Sequence, residues 1–137
     1  MGTLLRVGLV LAVVIFWAAG PVGAQDSLTR KNSQGPVTVT LTLVPPIESG
    51  APVRVQVALD THSGPLDGIA LESVLALRGA DGNELSPSVV EQTGGGDHRQ
   101  AVVVFPGAAL EKAIVIVVKN VGGVAERSFS WERPPAR

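Results

Sequence analysis

Two short stretches of this chain combine histidine with aspartate, residue types that can bind a metal ion or transfer a proton. Asp60, His62 and Asp67 lie within the stretch ALDTHSGPLDG, and His98 lies in the stretch GGGDHR. His62 and His98 are the two histidines of the chain. Imidazole nitrogens combined with carboxylate oxygens suit zinc, copper or a similar ion. The residue types therefore indicate a candidate metal site formed by Asp60, His62, Asp67 and His98.

The same pattern also fits a strand that ends in a turn and holds no ion. Asp60 and His62 are two positions apart, so they share a face if the strand continues that far. A catalytic zinc site uses three protein ligands and a structural one four, a number reached here only if the turn folds back. We favour the turn: Asp60 is expected to accept backbone N–H bonds, and Thr61 or His62 to tie the loop down.

The glycines before His98 allow a close approach of the backbone to another group. That group could be an anion held by backbone N–H groups with Arg99 and His98. The alternative is a mobile hairpin end in which Asp97 pairs with Arg99 or caps the turn. The spacing matches no phosphate-binding loop, because no helix beginning with Lys-Ser/Thr follows.

The two stretches can cooperate only through the fold, since nothing in the sequence places His62 beside His98. If both fall at one end of a sandwich, they gather Asp60, His62, Asp67, Asp97 and His98 into a mixed nitrogen and oxygen cluster. A hydrolase built on Ser63 and His98 is discounted, because no serine lies in a G-x-S-x-G turn and no oxyanion hole is indicated.

The elements that must position these residues are short strands. Apolar residues alternate with threonines in PVTVTLTLV, a period of two that is typical of a strand with one buried face. IALESVLALR is ambiguous between helix and strand; we favour a strand over Ser73–Arg78, because a hairpin connection follows it. The predicted strands cover residues 36–44, 52–60, 73–78, 85–91, 98–105, 113–119 and 125–132, with a loop at Gln92–Asp97.

About seven strands without a clear helix predict an all-β fold: a two-sheet antiparallel, immunoglobulin-like β-sandwich. Pro87 places the strand around it toward a sheet edge. Phe105, Phe129 and Trp131 lie on alternating apolar faces, so we expect them to anchor the core. The order of the strands stays open, because the cysteines that mark antibody domains are missing.

The N-terminus predicts export. Arg6 precedes the apolar run Val7–Ala19, and Val22-Gly23-Ala24 places small residues where a signal peptidase reads them. We expect a signal peptide at residues 1–24 that is cleaved after Ala24. An uncleaved anchor is the alternative, but the run is shorter than the roughly 20 residues that a spanning helix needs. The predicted mature protein is then periplasmic or extracellular, with no membrane span.

The mature chain is expected to contain a flexible leader at residues 25–35, a β-sandwich domain at 36–132 and a short tail at 133–137. The chain has no cysteine, which excludes thiol chemistry, thiolate metal ligands and disulfides. Its formal net charge is −1 and it has no block of basic residues, so nucleic-acid binding is not expected.

The stretch ALDTHS…LD, the later GG-x-HR and the closing F-x-W resemble a group of small exported bacterial proteins of uncharacterised function. The resemblance covers about Val37–Trp131 and implies an immunoglobulin-like sandwich. Members of that group can carry a second histidine where this chain has Asp97, and a lipid-bearing cysteine after the signal. Both are missing here, which argues against a histidine-rich metal site and against lipid anchoring.

These observations predict an exported, non-enzymatic β-sandwich domain with a binding or structural role in the bacterial cell envelope. It needs no cofactor, and its partner is an envelope protein or a small ligand that the sequence does not identify. The alternative is a periplasmic metal-ion-binding protein that holds zinc or copper with His62, His98 and nearby aspartates.

Overall fold

A computed structural model describes residues 28–79, 81–107 and 113–132 of the chain. The predicted signal peptide at 1–24 and the tail at 133–137 lie outside the described residues. Within them the protein has nine strands and one short helix, with the following bounds: β1 Thr29–Asn32, β2 Val37–Val44, β3 Val53–Thr61, α1 Leu71–Val74, β4 Leu75–Arg78, β5 Glu84–Leu85, β6 Ser88–Gly95, β7 His98–Phe105, β8 Ala113–Val121 and β9 Val124–Glu132.

The strands form two antiparallel sheets, which confirms the predicted all-β sandwich. One sheet has the order β1-β2-β3-β7-β6 and the other β5-β4-β8-β9. Without β1 and β5 these orders match ABED and CFG, the arrangement of immunoglobulin constant-type domains. The sequence could not give this order, because strand pairing depends on contacts between segments far apart in the chain.

The alternating pattern decides which face of each strand is buried. In β2 and β3 every second residue is buried, beginning at Val37 and Val53, while the residues between them face outward. Phe105, Phe129 and Trp131 are all in the core, as the sequence predicts. The indole N–H of Trp131 donates to the Leu28 carbonyl at 3.0 Å, so this large ring is buried without an unpaired donor.

The predicted flexible leader is wrong for residues 29–32, which form the edge strand β1 and pair with β2. The leader has no apolar period, so the pattern gave no sign of a strand. Residues 29–32 are held in the sheet by ladder bonds to β2 and by a hydrogen bond between the hydroxyls of Thr29 and Thr42 at 2.9 Å.

Two further boundaries differ from the predicted ones. Residues 71–74 form the helical turn α1 before the strand β4, so the ambiguous segment contains both structures. The predicted loop at Gln92–Asp97 is mostly strand, because β6 extends to Gly95 and only Gly96 and Asp97 form the turn. Gly96 has a φ of 65°, as the first central position of a type II′ hairpin turn requires.

Across the described ranges, no helix has the length and apolar character needed to traverse a bilayer.

Candidate functional site

The two chemically interesting stretches lie at one end of the sandwich. β3 pairs with β7, and this register places Asp60 directly opposite His98. The backbone N–H of Thr61 donates to the Asp97 carbonyl at 3.0 Å, which joins the end of β3 to the β6–β7 hairpin. The fold therefore brings together two loops that are more than thirty residues apart in the sequence.

Asp60 and His98 form an ion pair on the outer face of the five-stranded sheet. The Nδ1 of His98 lies 2.5 Å from a carboxylate oxygen of Asp60, and the two side chains are 66% and 47% exposed. Asp97 is a second, more distant carboxylate, 3.9 Å from Nε2. The hydrogen bond to Asp60 and the charge of Asp97 raise the pKa of His98 above its ordinary value. Asp60 thus pairs with a side chain, whereas the sequence predicted that it would accept backbone N–H bonds.

Thr61 fixes the turn after β3. Its hydroxyl donates to the Pro36 carbonyl at 2.9 Å and accepts the backbone N–H of Ser63 at 3.1 Å. Thr61 is 5% exposed, so both bonds are shielded from water. His62, by contrast, is exposed and makes no hydrogen bond or ion pair to any described residue. Of the two residues proposed to tie the loop down, Thr61 does so and His62 does not.

Asp67 belongs to a loop, residues 62–70, that docks on the β6–β7 hairpin. Its carboxylate accepts the Gly96 N–H at 3.3 Å, and the backbone of Leu66 donates to the Gly96 carbonyl at 2.7 Å. Leu66 is buried in the core cluster. The loop is held by these bonds and by one apolar anchor, so Asp67 has a structural role within it.

Arg99 also holds the loop of residues 62–70 against the β6–β7 hairpin. Its guanidinium donates to the carbonyls of Leu66 and Ile69 and to the side-chain oxygen of Gln92. The expected ion pair between Asp97 and Arg99 is not formed, because Arg99 points to the docked loop and Asp97 lies beside His98. The guanidinium is thus engaged by neutral oxygens, which leaves it poorly placed to hold an anion.

The proposed metal ligands are only partly brought together. Asp60 and His98 touch, Asp67 binds the hairpin backbone, and His62 stands apart in the solvent. In the described ranges, no three residues among His, Asp and Glu lie close enough to hold one ion. Two ligands are fewer than zinc sites in proteins use.

A groove runs across the outer face of the same five-stranded sheet, one row of side chains away from Asp60 and His98. It has a volume of about 300 Å³. The register explains its shape: one row across the sheet is Thr42, Gln56, Val102 and Glu91, and the next is Thr40, Ala58, Gln100 and Thr93. The small Ala58 and Val102 form the floor, and the longer side chains around them form the walls.

Most of the polar side chains of this groove are unengaged, although Gln92, which also lines it, accepts a hydrogen bond from Arg99. Within the part of the chain that the structure describes, the side chains of Gln56, Gln100, Thr40, Thr93 and Glu91 form no hydrogen bond, whereas the Thr42 hydroxyl pairs with Thr29. Sequence reasoning missed this site because its residues come from four strands. The alternation of β2 and β3 did predict that Thr40, Thr42 and Gln56 lie on an outer face.

The structure also reveals a buried cation, Arg127, whose role the sequence did not indicate. It is 1% exposed, and its guanidinium donates to the carbonyls of Asn32, Val37 and Val121 at 2.7–3.2 Å and to the Asn32 side-chain oxygen at 3.1 Å. Its Nε has no acceptor among the described residues. Burial lowers the pKa of Arg127. Every second residue from Arg127 to Trp131 is buried in β9, so Arg127 shares the inner face of that strand with Phe129 and Trp131.

Neither a protein-family model, nor a curated protein sequence, nor a solved structure matches this chain. The resemblance to small exported bacterial proteins therefore stays a prediction, and the function has to be argued from the site alone.

Proposed function

We propose that this protein is an exported, non-enzymatic domain that binds a component of the bacterial cell envelope. The observation that carries the proposal is the groove on the outer face of the five-stranded sheet. It combines a small apolar floor with several polar side chains that offer hydrogen-bonding groups to a ligand. Its volume falls at the lower limit of the roughly 300–1,000 Å³ that ligand-binding sites occupy.

Location in the envelope is proposed from the N-terminal sequence. Arg6, the apolar run Val7–Ala19 and the small residues before Gln25 favour cleavage and export. A binding role is favoured over covalent catalysis because no Ser or Thr hydroxyl of the described residues hydrogen-bonds to Nε2 of His98, which lies 3.9 Å from Asp97. General-base catalysis requires the base to be within hydrogen-bond reach of the group it activates.

Metal-ion binding is the second candidate. The contact between Asp60 and His98, with Asp97 nearby, supplies an imidazole and carboxylates at one place. We rank it below the groove because His62 and Asp67 do not join that pair, and the ligand number stays short.

The groove proposal can be tested with purified mature protein and isolated envelope fragments of the source bacterium. Wild type is expected to sediment with the fragments, and Ala58→Gln, which fills the floor, to remain in the supernatant. Gln34→Ala, an exposed change outside the groove, serves as the control and should behave as wild type. Equal sedimentation of wild type and Ala58→Gln, or sedimentation of neither, would refute binding through the groove.

A further inference from the structure

We infer that the ligand of the groove is a neutral glycan chain whose sugar rings carry free vicinal hydroxyl groups. This inference rests on the proposed binding function and names the chemical class of the ligand.

The lining of the groove offers no cation to an anionic partner. Glu91 is the one ionisable residue among those that line it, and neither Lys, Arg nor His belongs to the lining. The nearest basic side chains on this face lie outside the lining: Lys31 on β1 pairs with Thr40, Arg54 lies two residues before Gln56, and the Asp60–His98 pair occupies the adjoining row. A phosphate or carboxylate inside the groove would meet the Glu91 carboxylate and no cation, which is unfavourable. The ligand that this surface complements is uncharged along its length.

The hydrogen-bonding groups favour hydroxyls. Each glutamine amide offers two N–H donors and an acceptor oxygen side by side, and each threonine hydroxyl can both donate and accept. Gln56 and Gln100 lie on opposite sides of the floor, on neighbouring strands and in neighbouring rows. Two adjacent sugar hydroxyls present a donor and an acceptor at similar separation, so one amide can bind both. The carboxylate of Glu91 adds an acceptor for a third hydroxyl.

The floor supplies the apolar part of the contact. Ala58 pairs with Gln100 and Val102 pairs with Gln56, so the two small residues occupy the corners between the two glutamines. Both are half-buried. A sugar ring has C–H groups on its faces, so it can rest on these methyl groups while its hydroxyls reach the walls. Four strands at a spacing of about 4.8 Å give the groove a length of about 15 Å, which suits a chain of rings more than a single one.

The position on the sheet argues against an extended peptide. A peptide strand is normally recognised at a sheet edge, where unpaired backbone groups continue the ladder. On this face the backbones of β2, β3, β7 and β6 are already paired with each other. Only side chains are available for recognition, and they suit a ligand with hydroxyls along its own length.

The lining of the groove also limits the affinity for a sugar ring. Its lining contains no aromatic residue on which a sugar ring could stack. A single site is therefore expected to bind its ligand weakly.

The first experiment uses the envelope fragments of the sedimentation assay. Periodate cleaves the carbon–carbon bond between vicinal hydroxyls, converting both carbons to aldehydes while periodate is reduced to iodate. Fragments treated with periodate are expected to lose the groove-dependent binding, and protease-treated fragments to keep it. If binding survives periodate and is lost after protease, the partner is a protein: the glycan inference fails and the proposed function stands.

The second experiment locates the site with a defined probe. Cellohexaose and maltohexaose, which keep their vicinal hydroxyls, should shift the backbone amide resonances of Thr40, Ala58 and Gln100 in a nitrogen–proton correlation spectrum. Chitohexaose, in which an acetamido group replaces one hydroxyl of each pair, should bind more weakly. Shifts confined to residues outside the groove, or no shift with any of the three oligosaccharides, would overturn the inference.

Substitutions provide the matched control. Gln56→Ala and Gln100→Ala should each weaken cellohexaose or maltohexaose binding about twofold to tenfold, the effect of losing one neutral hydrogen bond. Gln34→Ala removes the same side chain from the β1–β2 turn and should leave binding unchanged. Because Gln56 and Gln100 are exposed, all three variants should keep the melting temperature of the wild type. Equal binding by all three would place the ligand elsewhere.

Discussion

Two cationic groups lie at the same end of the sandwich, one inside it and one outside. Val37, whose carbonyl accepts from the buried Arg127, pairs with Thr61, and Thr38 beside it pairs with Asp60 of the exposed ion pair. Arg127 has no carboxylate partner and bonds to neutral oxygens at 1% exposure, whereas His98 has a carboxylate at 2.5 Å and is 66% exposed. The comparison teaches that burial, more than the formal pairing of charges, determines how much such a group contributes to stability.

The reason is the solvent. An exposed ion pair gains little because water and salt screen it and because both side chains lose rotational freedom. Inside the sandwich, the carbonyls of Val37 and Val121 accept from the guanidinium in place of water, and they remain buried if the guanidinium is removed. Arg127 also joins the β1–β2 connection of one sheet to the β8–β9 hairpin of the other. Gly122 leaves room for this, since a Cβ there would lie 3.1 Å from an Arg127 nitrogen.

The largest effect is expected for Arg127→Met. It keeps much of the side-chain volume but deprives the buried carbonyls of their donors, each worth about 1–3 kcal/mol. The free energy of unfolding in urea should fall by about 3–5 kcal/mol, a large share of the roughly 5–15 kcal/mol typical of a domain. Arg78→Met, which removes an exposed arginine paired with Glu84 and Glu126, is the control and should cost about 1 kcal/mol or less. Equal losses in the two variants would contradict the role assigned to burial.

Thr61→Val should have an intermediate effect. The substitution preserves the shape of the buried side chain but removes the hydroxyl that bonds to Pro36 and Ser63. We expect a loss of about 1–3 kcal/mol in urea unfolding, because the Pro36 carbonyl keeps no other donor in the described part of the chain. His62→Ala, at the next and exposed position, should change the unfolding midpoint very little. A larger loss for His62→Ala than for Thr61→Val would return the turn-fixing role to the histidine.

The exposed Asp60–His98 pair should affect mainly the pH dependence of stability. The pKa of His98 is raised by Asp60 and by Asp97, so the folded state binds the proton more tightly than the unfolded state, whose pKa is near 6.5. The stabilisation is fully present below about pH 6.5 and is lost as the pH rises through the folded pKa. The melting temperature of wild type should therefore exceed that of Asp60→Asn at pH 6, and the difference should shrink toward pH 9. An NMR titration that gives His98 a pKa at or below the ordinary histidine value of about 6.5 would refute the pairing.

The smallest effect is expected for metal ions. Asp60 and His98 provide two ligands, so added zinc or copper should leave the melting temperature of the protein nearly unchanged at neutral pH. A bound ion at a hundredfold excess over its dissociation constant would stabilise the fold by about 2.7 kcal/mol, which is easily measured. If zinc or copper raises the melting temperature and both His62→Ala and His98→Ala abolish the rise, the metal-binding alternative is correct.

The sequence by itself determined the parts of this protein that depend on local pattern. A period of two separates the apolar and polar faces of β2 and β3, and prolines and glycines mark where strands end, so the strands around Val37, Val53, His98 and Ala113 were predictable. The burial of Phe105, Phe129 and Trp131 followed from the same alternation.

The tertiary structure decided everything that depends on pairing between distant segments. Register placed Asp60 opposite His98 and aligned the side chains of the groove across four strands, although neighbouring members can be forty residues apart. Residues 29–32 likewise form the strand β1 because they pair with β2. Residues 29–32 and the buried Arg127 carry little local signal, because their stability comes from acceptors and donors that only the folded chain brings within reach.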